Sequence, residues 1–254
     1  MTPTDTNPDD LRTYQRSVIS LGAVGMPVQS ADIAHVTEHI NVCTSRFGGP
    51  AAVTPQHPWP IGHNNRPMLH LAQLNLNELP SLPGNYPSSG LLQFFLADDA
   101  EAGVDFYDDE YVGCCIRLIP TEEFANAWAE WYLPQNAQLF DGGYFAITGE
   151  LIEQNPRIDD RDFESLPPEA RTFFRRAQAP EGGSYFGRGW ATFLQGEPRQ
   201  PDDPREQLFQ IDSIENNNGV SLMLGDCGIG HFFIHPDDLA AHDFTHVTLY
   251  GESC

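Results

Sequence analysis

Hydrophobic positions in this chain fall in short runs, broken by glycine, proline and asparagine, and two pairs of runs read alike. Met68-Leu69-His70-Leu71-Ala72-Gln73-Leu74-Asn75-Leu76 leads through a turn-rich gap to Gly90-Leu91-Leu92-Gln93-Phe94-Phe95-Leu96. Gln207-Leu208-Phe209-Gln210-Ile211-Asp212 leads to Gly228-Ile229-Gly230-His231-Phe232-Phe233-Ile234. Each first run carries a Gln and has Asn or Asp at or next to its end; a glycine and a run with a Phe-Phe pair follow. Short apolar runs bounded by turn residues read as strands. Self-similarity at this distance predicts two equivalent halves.

Between the runs the pattern changes. Asp9 or Asp10 as a cap, with Leu11, Tyr14, Val18 and Leu21 on one face, predicts a helix ending near Gly22, after a frayed tail over residues 1–10. Uneven alternation of Ile33, Val36, Ile40 and Val42 predicts one or two strands. Residues 44–67 are too dense in glycine and proline for a central strand or a helix interior, and read as a long ordered loop. Residues 111–119 read as a strand. Residues 121–131 read as a helix with Phe124, Ala127, Trp128 and Trp131 on one face. A strand at 146–151 and a short helix at 170–177 follow, then a second glycine-rich loop over 182–199 above Phe186, Trp190 and Phe193. Asn216-Asn217-Asn218-Gly219 signals a hairpin. Pro236 opens a helix reaching His242, with Asp237 and Asp238 at its positive end, and residues 247–250 close the chain as a strand. The fold class expected is α+β: two similar antiparallel-sheet lobes from an internal duplication, with a few short helices. An N-terminal tail and helix would occupy residues 1–26. One domain would fill 27–254, its halves at 27–135 and 136–254.

Composition narrows the function classes. Hydrophobic residues make up 40% of the chain, with 16 Phe, which fits a folded globule. No apolar run approaches the ~20 residues of a membrane span. Residues 1–10 carry neither a basic nor an apolar signal segment, so a cytoplasmic location is expected. Acidic residues number 36 against 13 basic ones, a net charge of −23, and lysine is absent. Such a field repels nucleic acid and anionic membrane and attracts basic partners. It also serves solubility or life in salt.

Candidate chemistry is sparse. Cys43, Cys114, Cys115, Cys227 and Cys254 show no Cys-x-x-Cys spacing, so they read as thiols of a reducing compartment. His231, His235, His242 and His246, beside Asp226 and Cys227, are the best metal candidates, but Pro236 sets a helix between them. A Cys227–His231 nucleophile pair has spacing but no family signature, and His57, His63 and His70 sit in or after the first loop. No Walker loop, dinucleotide fingerprint, Gly-x-Ser-x-Gly or His-Glu-x-x-His occurs, so neither an enzyme nor a cofactor is expected. The densest charge runs from Asp98 to Glu110: Asp98, Asp99, Glu101, Asp105, Asp108, Asp109 and Glu110, with Phe106 and Tyr107 interleaved. A solvated loop is the plain reading of such a run. Aromatic anchors among carboxylates make it the partner-binding candidate.

Several segments together resemble the YwqG-like family. They are Thr44-Ser45-Arg46-Phe47-Gly48-Gly49-Pro50, Trp59-Pro60, residues 67–76 and 90–96, Leu208-Phe209-Gln210-Ile211-Asp212, Gly225-Asp226-Cys227-Gly228 and His235-Pro236-Asp237-Asp238-Leu239. The matches run from about Arg46 to Tyr250, and Arg46 stands where the family often has Lys. The resemblance implies a single α+β unit of two related halves, with no established catalytic residues. It also implies, through some members, an immunity protein that binds a toxin secreted or delivered by contact, type VI secretion among the routes. The expected partner is therefore a cognate toxin, a nuclease such as a DNase with a basic cleft. The alternative is a small-molecule-binding module, because two glycine-rich, aromatic-lined loops frame a cleft.

Overall fold

The computed structural model describes residues 11–63, 65–98, 113–134, 139–177, 182–216 and 218–253. In chain order the first part forms β1 (Arg16–Pro27), α1 (Ile33–His39), β2 (Arg46–Phe47), β3 (Ala51–Val53), β4 (Leu69–Asn75), β5 (Leu91–Leu96), β6 (Cys114–Ile119) and β7 (Trp128–Glu130). Next come β8 (Phe140–Asp141), β9 (Gly143–Gln154), α2 (Pro168–Arg176), β10 (Ser184–Phe186) and β11 (Glu206–Asp212). The chain then forms β12 (Ile214–Glu215), β13 (Ser221–Leu222), β14 (Ile229–Ile234), α3 (Pro236–Ala241) and β15 (Thr248–Glu252).

Ten of these strands make one sheet, ordered β15-β14-β11-β10-β1-β9-β2-β4-β5-β6, with every neighbouring pair antiparallel. Two small sheets, β12-β13-β8 and β3-β7, flank it. The protein is thus a mostly antiparallel α+β fold with few short helices. The large sheet curls until its edges approach: the Cys114 thiol at the start of β6 reaches the Val247 carbonyl, next to β15, at 3.6 Å. A continuous, nearly closed sheet stands where two separate lobes were expected. Its physical cause is the long seam between β1 and β9, paired from Arg16↔Gln154 to Pro27↔Gly143 with Gly22↔Thr148 near the middle.

That seam also corrects the expected N-terminal helix. Val18, Ile19 and Leu21 are all buried, so the strand is covered on both sides over this stretch. β-Branched Val18, Ile19 and Val24, with Gly22 and Gly25, suit a strand better than a helix interior. The expected strands over 28–42 are instead a 3₁₀ turn at Ser30–Asp32 and α1. There Ile33, Val36 and Ile40 follow a helical period. The expected helix over 121–131 is a 3₁₀ turn at Thr121–Asn126 followed by β7, whose pairing with Ala51–Val53 holds Trp128–Glu130 extended.

The inner face of the sheet packs one aromatic core. Phe94 lies 4.6 Å from Phe209 and 5.1 Å from Phe232 between ring centroids, and Phe47 lies 6.2 Å from Phe209. Close to the expected loops at 44–67 and 182–199, residues 48–68 and 187–200 cover the outer face, so β4, β5 and β14 are buried on both sides. A Gln on each side ties a loop down. The Gln73 amide donates to the Val42 and Thr44 carbonyls, each at 2.7 Å, and its oxygen accepts the Ala52 N–H at 3.1 Å. The Gln210 amide donates to the Gly183 carbonyl at 3.0 Å and its oxygen accepts the Thr192 N–H at 3.2 Å.

Candidate functional site

The irregular point of β4 positions the site. Its pairing with β5 shifts register between His70 and Ala72, so His70 turns toward the loop instead of the core. The Gly48 N–H bonds to the Leu71 carbonyl at 2.9 Å, and Gly48 and Gly49 both have left-handed φ, 65° and 67°. A Cβ at Gly48 would meet the Phe140 ring at 2.7 Å, and one at Gly49 would meet Tyr144 at 2.8 Å. Only glycine allows this close approach.

A cavity of about 190 Å³ opens beside this bulge. Ile33 of α1, Leu69 and His70 of β4, Trp131, Tyr132 and Phe140 form much of its wall. Among the described residues apolar and aromatic side chains dominate the lining, with no carboxylate or guanidinium. His70 is 5% exposed. Its Nδ1 lies 3.1 Å from the Gly49 carbonyl, which only accepts, so Nδ1 carries the proton. Nε2 is buried and has no hydrogen-bond partner. Burial, and then the charge of Arg46, push the imidazole down to about 3, while the carbonyls of Gly49, Gly48 and Ala72 pull the other way. The ring is neutral at physiological pH. A base this weak is a poor general base there, but its Nε2 lone pair remains a hydrogen-bond acceptor.

Arg46 sits behind this wall at 1% exposure. Its guanidinium donates to the Pro50 carbonyl at 2.9 Å, the Asn41 carbonyl at 2.5 Å and the Thr44 hydroxyl at 2.6 Å. Burial lowers it to about 10, with Tyr144 and Cys43 opposing. It staples residues 41–50 over the β2 end of the cavity. On another wall the Tyr132 hydroxyl donates to Asp98 Oδ2 at 3.1 Å. Burial raises the phenol, and Asp98 raises it further.

Asp98 therefore corrects one expectation. It is 1% exposed and faces Tyr132, so it does not present a charge for docking. The other candidates, Asp99, Glu101, Asp105, Phe106, Tyr107, Asp108, Asp109 and Glu110, lie outside the described residues.

The histidine-rich segment disperses. His231 is buried in β14, its Nε2 3.2 Å from Glu252 Oε1 and its Nδ1 3.4 Å from Gln207 Oε1. Burial lowers the His231 pKa, and Glu252 opposes. Glu252 also accepts the Leu194 and Gln195 N–H groups, each at 2.8 Å, which fastens the second loop. His235 caps α3 by accepting the Asp237 N–H at 3.1 Å, and His242 takes the left-handed position that ends it. Cys227 is exposed, whereas His231 is fully buried. Among the described residues no three His, Cys, Asp or Glu side chains gather to hold a metal.

In the sequence His70 stands out little, and Tyr132 and Phe140 carry no mark of site residues. The usable signal was a lone His inside an apolar run facing a Gly-Gly turn. A comparison with curated proteins returned no match. The model of a domain of unknown function, DUF1963, matches residues 45–254, a span that holds every strand from β2 to β15, and the chain belongs to that family.

Proposed function

We propose that this protein is a non-enzymatic immunity protein of the cytoplasm that inhibits a basic toxin, a nuclease in particular, by direct binding. The observation that carries the reading is the charge of −23. Arg46, Arg157 and Arg199 are buried, Arg16 pairs with Asp162 at 2.5 Å, and Arg205 pairs with Asp203 at 2.6 Å. Each ion pair cancels one carboxylate with one cation, so the acidic excess of the whole chain is unchanged. A nuclease needs a basic cleft to hold phosphates, and an acidic inhibitor gains association rate from steering. The resemblance to the YwqG-like family, some members of which are immunity proteins, supports the same reading.

The contact residues on this reading are Asp99, Glu101, Asp105, Asp108, Asp109 and Glu110, with Phe106 and Tyr107 as anchors. Raising salt from ~50 to ~500 mM shrinks the Debye length from roughly 14 to 4 Å, and association should slow markedly. Neutralising the carboxylates should cut the on-rate, whereas Phe106→Ala should mainly raise the off-rate. Stopped-flow binding to the toxin encoded beside the gene measures both. No binding and no protection on co-expression would end the reading.

We also propose that the sheet arose by duplication, each half supplying one long strand to its neighbour. Matching details support it: both β4 and β11 shift register at one residue, before Ala72 and before Phe209. Ser45 Oγ accepts the Asn75 N–H at 2.8 Å, as Ser184 Oγ accepts the Asp212 N–H at 3.1 Å. Gly48 bonds to Leu71 as Gly187 bonds to Leu208, both at 2.9 Å. A second functional reading, a small-molecule-binding module, is favoured by the His70 cavity.

A further inference from the structure

Building on the small-molecule reading, we propose that the cavity at the β4 bulge binds a small, neutral, mostly apolar molecule that carries one N–H or O–H donor. Phenol is the simplest molecule of this class. Three observations converge. The space, about 190 Å³, suits a single ring, since an apolar cavity of roughly 150 Å³ accepts benzene. Trp131, Tyr132 and Phe140 give aromatic walls, and among the described residues no lining side chain offers a counter-charge to a charged ligand, which would lose its hydration on entry.

The third observation is polar and sets the ligand's chemistry. The Tyr132 hydroxyl is turned to Asp98, and the His70 proton is turned to Gly49. Ser30 also lines the space with an exposed hydroxyl; the lining side-chain group buried without a partner is the lone pair of His70 Nε2. A buried acceptor without a donor is costly, and a donor from a ligand relieves that cost. Nε2 is shielded from solvent, so a ligand reaches it only when the imidazole rotates against its bond to Gly49. His70 is then the residue that reads the ligand, and the aromatic walls supply most of the affinity. Gln207 occupies the matching place at the β11 bulge, and its amide nitrogen is likewise buried without a partner. There the second loop closes over the strand, fastened by Glu252.

Phenol and toluene, alike in shape and different in the donor, test this by calorimetric titration at pH 7. The comparison is the ratio of their dissociation constants in the wild type and in His70→Phe, which keeps a flat ring and removes the acceptor. The expected result is a loss of about tenfold in preference for phenol, the equivalent of one net hydrogen bond. Should that variant fail to fold, the Nε2 resonance of the ¹⁵N-histidine-labelled wild type takes its place: phenol should move it and toluene should not. Equal behaviour of the two ligands overturns the role of His70 and leaves a cavity that binds small apolar molecules. No binding of either up to roughly 10 mM overturns the site itself. Native mass spectrometry of protein from its own cells then separates the readings. A retained small ligand keeps the small-molecule reading alive at another site, and none ends it.

Discussion

The buried imidazole of His70 makes the fold sensitive to mild acid, with a sign that follows from its surroundings. In the native state the ring stays neutral down to about pH 3, whereas the unfolded ring takes a proton near its ordinary value of 6.5. Between those limits the unfolded chain binds more protons, so stability rises with pH and is lost as pH falls from 6.5. One pH unit corresponds to about 1.4 kcal/mol, so acidification to pH 5 removes about 2 kcal/mol through this residue alone. His231 is shifted in the same direction, and the acidic surface shifts stability by relieving repulsion. The comparison of wild type with His70→Phe cancels both. At pH 7.5 the variant should be less stable, having lost the bond to Gly49. By pH 5 the gap should close by about 2 kcal/mol, because the variant has no imidazole to titrate. Urea unfolding at pH 7.5, 6 and 5, analysed by linear extrapolation, reads the gap. A gap constant across that range would show that His70 is not held neutral and would refute the account of the cavity wall.

Two further outcomes follow from the loop ties. Gln73→Leu strands the Val42 and Thr44 carbonyls and the Ala52 N–H, whereas Gln210→Leu strands the Gly183 carbonyl and the Thr192 N–H. At roughly 1–3 kcal/mol for each buried group, both should destabilise, and Gln73→Leu should cost more; equal midpoints in urea would count against this. Glu252→Ala removes the acceptor for Leu194, Gln195 and His231, so at roughly 1–3 kcal/mol for each group left unpaired about 3 kcal/mol or more should be lost. Hydrogen exchange at the Leu194 and Gln195 amides should quicken with it, and unchanged exchange would mean the loop is held elsewhere.

The strands at 69–75, 91–96 and 229–234 were legible because apolar residues dominate each run and an asparagine or glycine bounds it on one side. Helix α3 was legible from Pro236 and its acidic first turn, and α2 from Pro168 and Glu169. Strand β1 was not, because its partner β9 lies far along the chain and local spacing of Leu11, Tyr14, Val18 and Leu21 mimics a helix face. Tertiary pairing overrode the local pattern there, as it did at β7. The cavity was illegible for a related reason: its wall takes residues from α1, β4 and the segment around Trp131, which no window of sequence brings together.

The glutamines inside the apolar runs connect these points. A Gln buried in a strand is tolerated only if its amide finds partners, and a loop lying across the outer face is the nearest source of backbone groups. Gln73 and Gln210 therefore demand covering loops, and the glycine-rich segments that supply them follow from that demand. What each loop then does depends on the residue at the bulge. At β11 the amide of Gln207 faces His231, and Glu252 draws Leu194 and Gln195 down over both. At β4 the same position holds His70, a carbonyl of the left-handed Gly48-Gly49 turn takes its one proton, and space remains beside the ring. The two loops rest on the same kind of tie, and the one over His70 leaves room for a ligand.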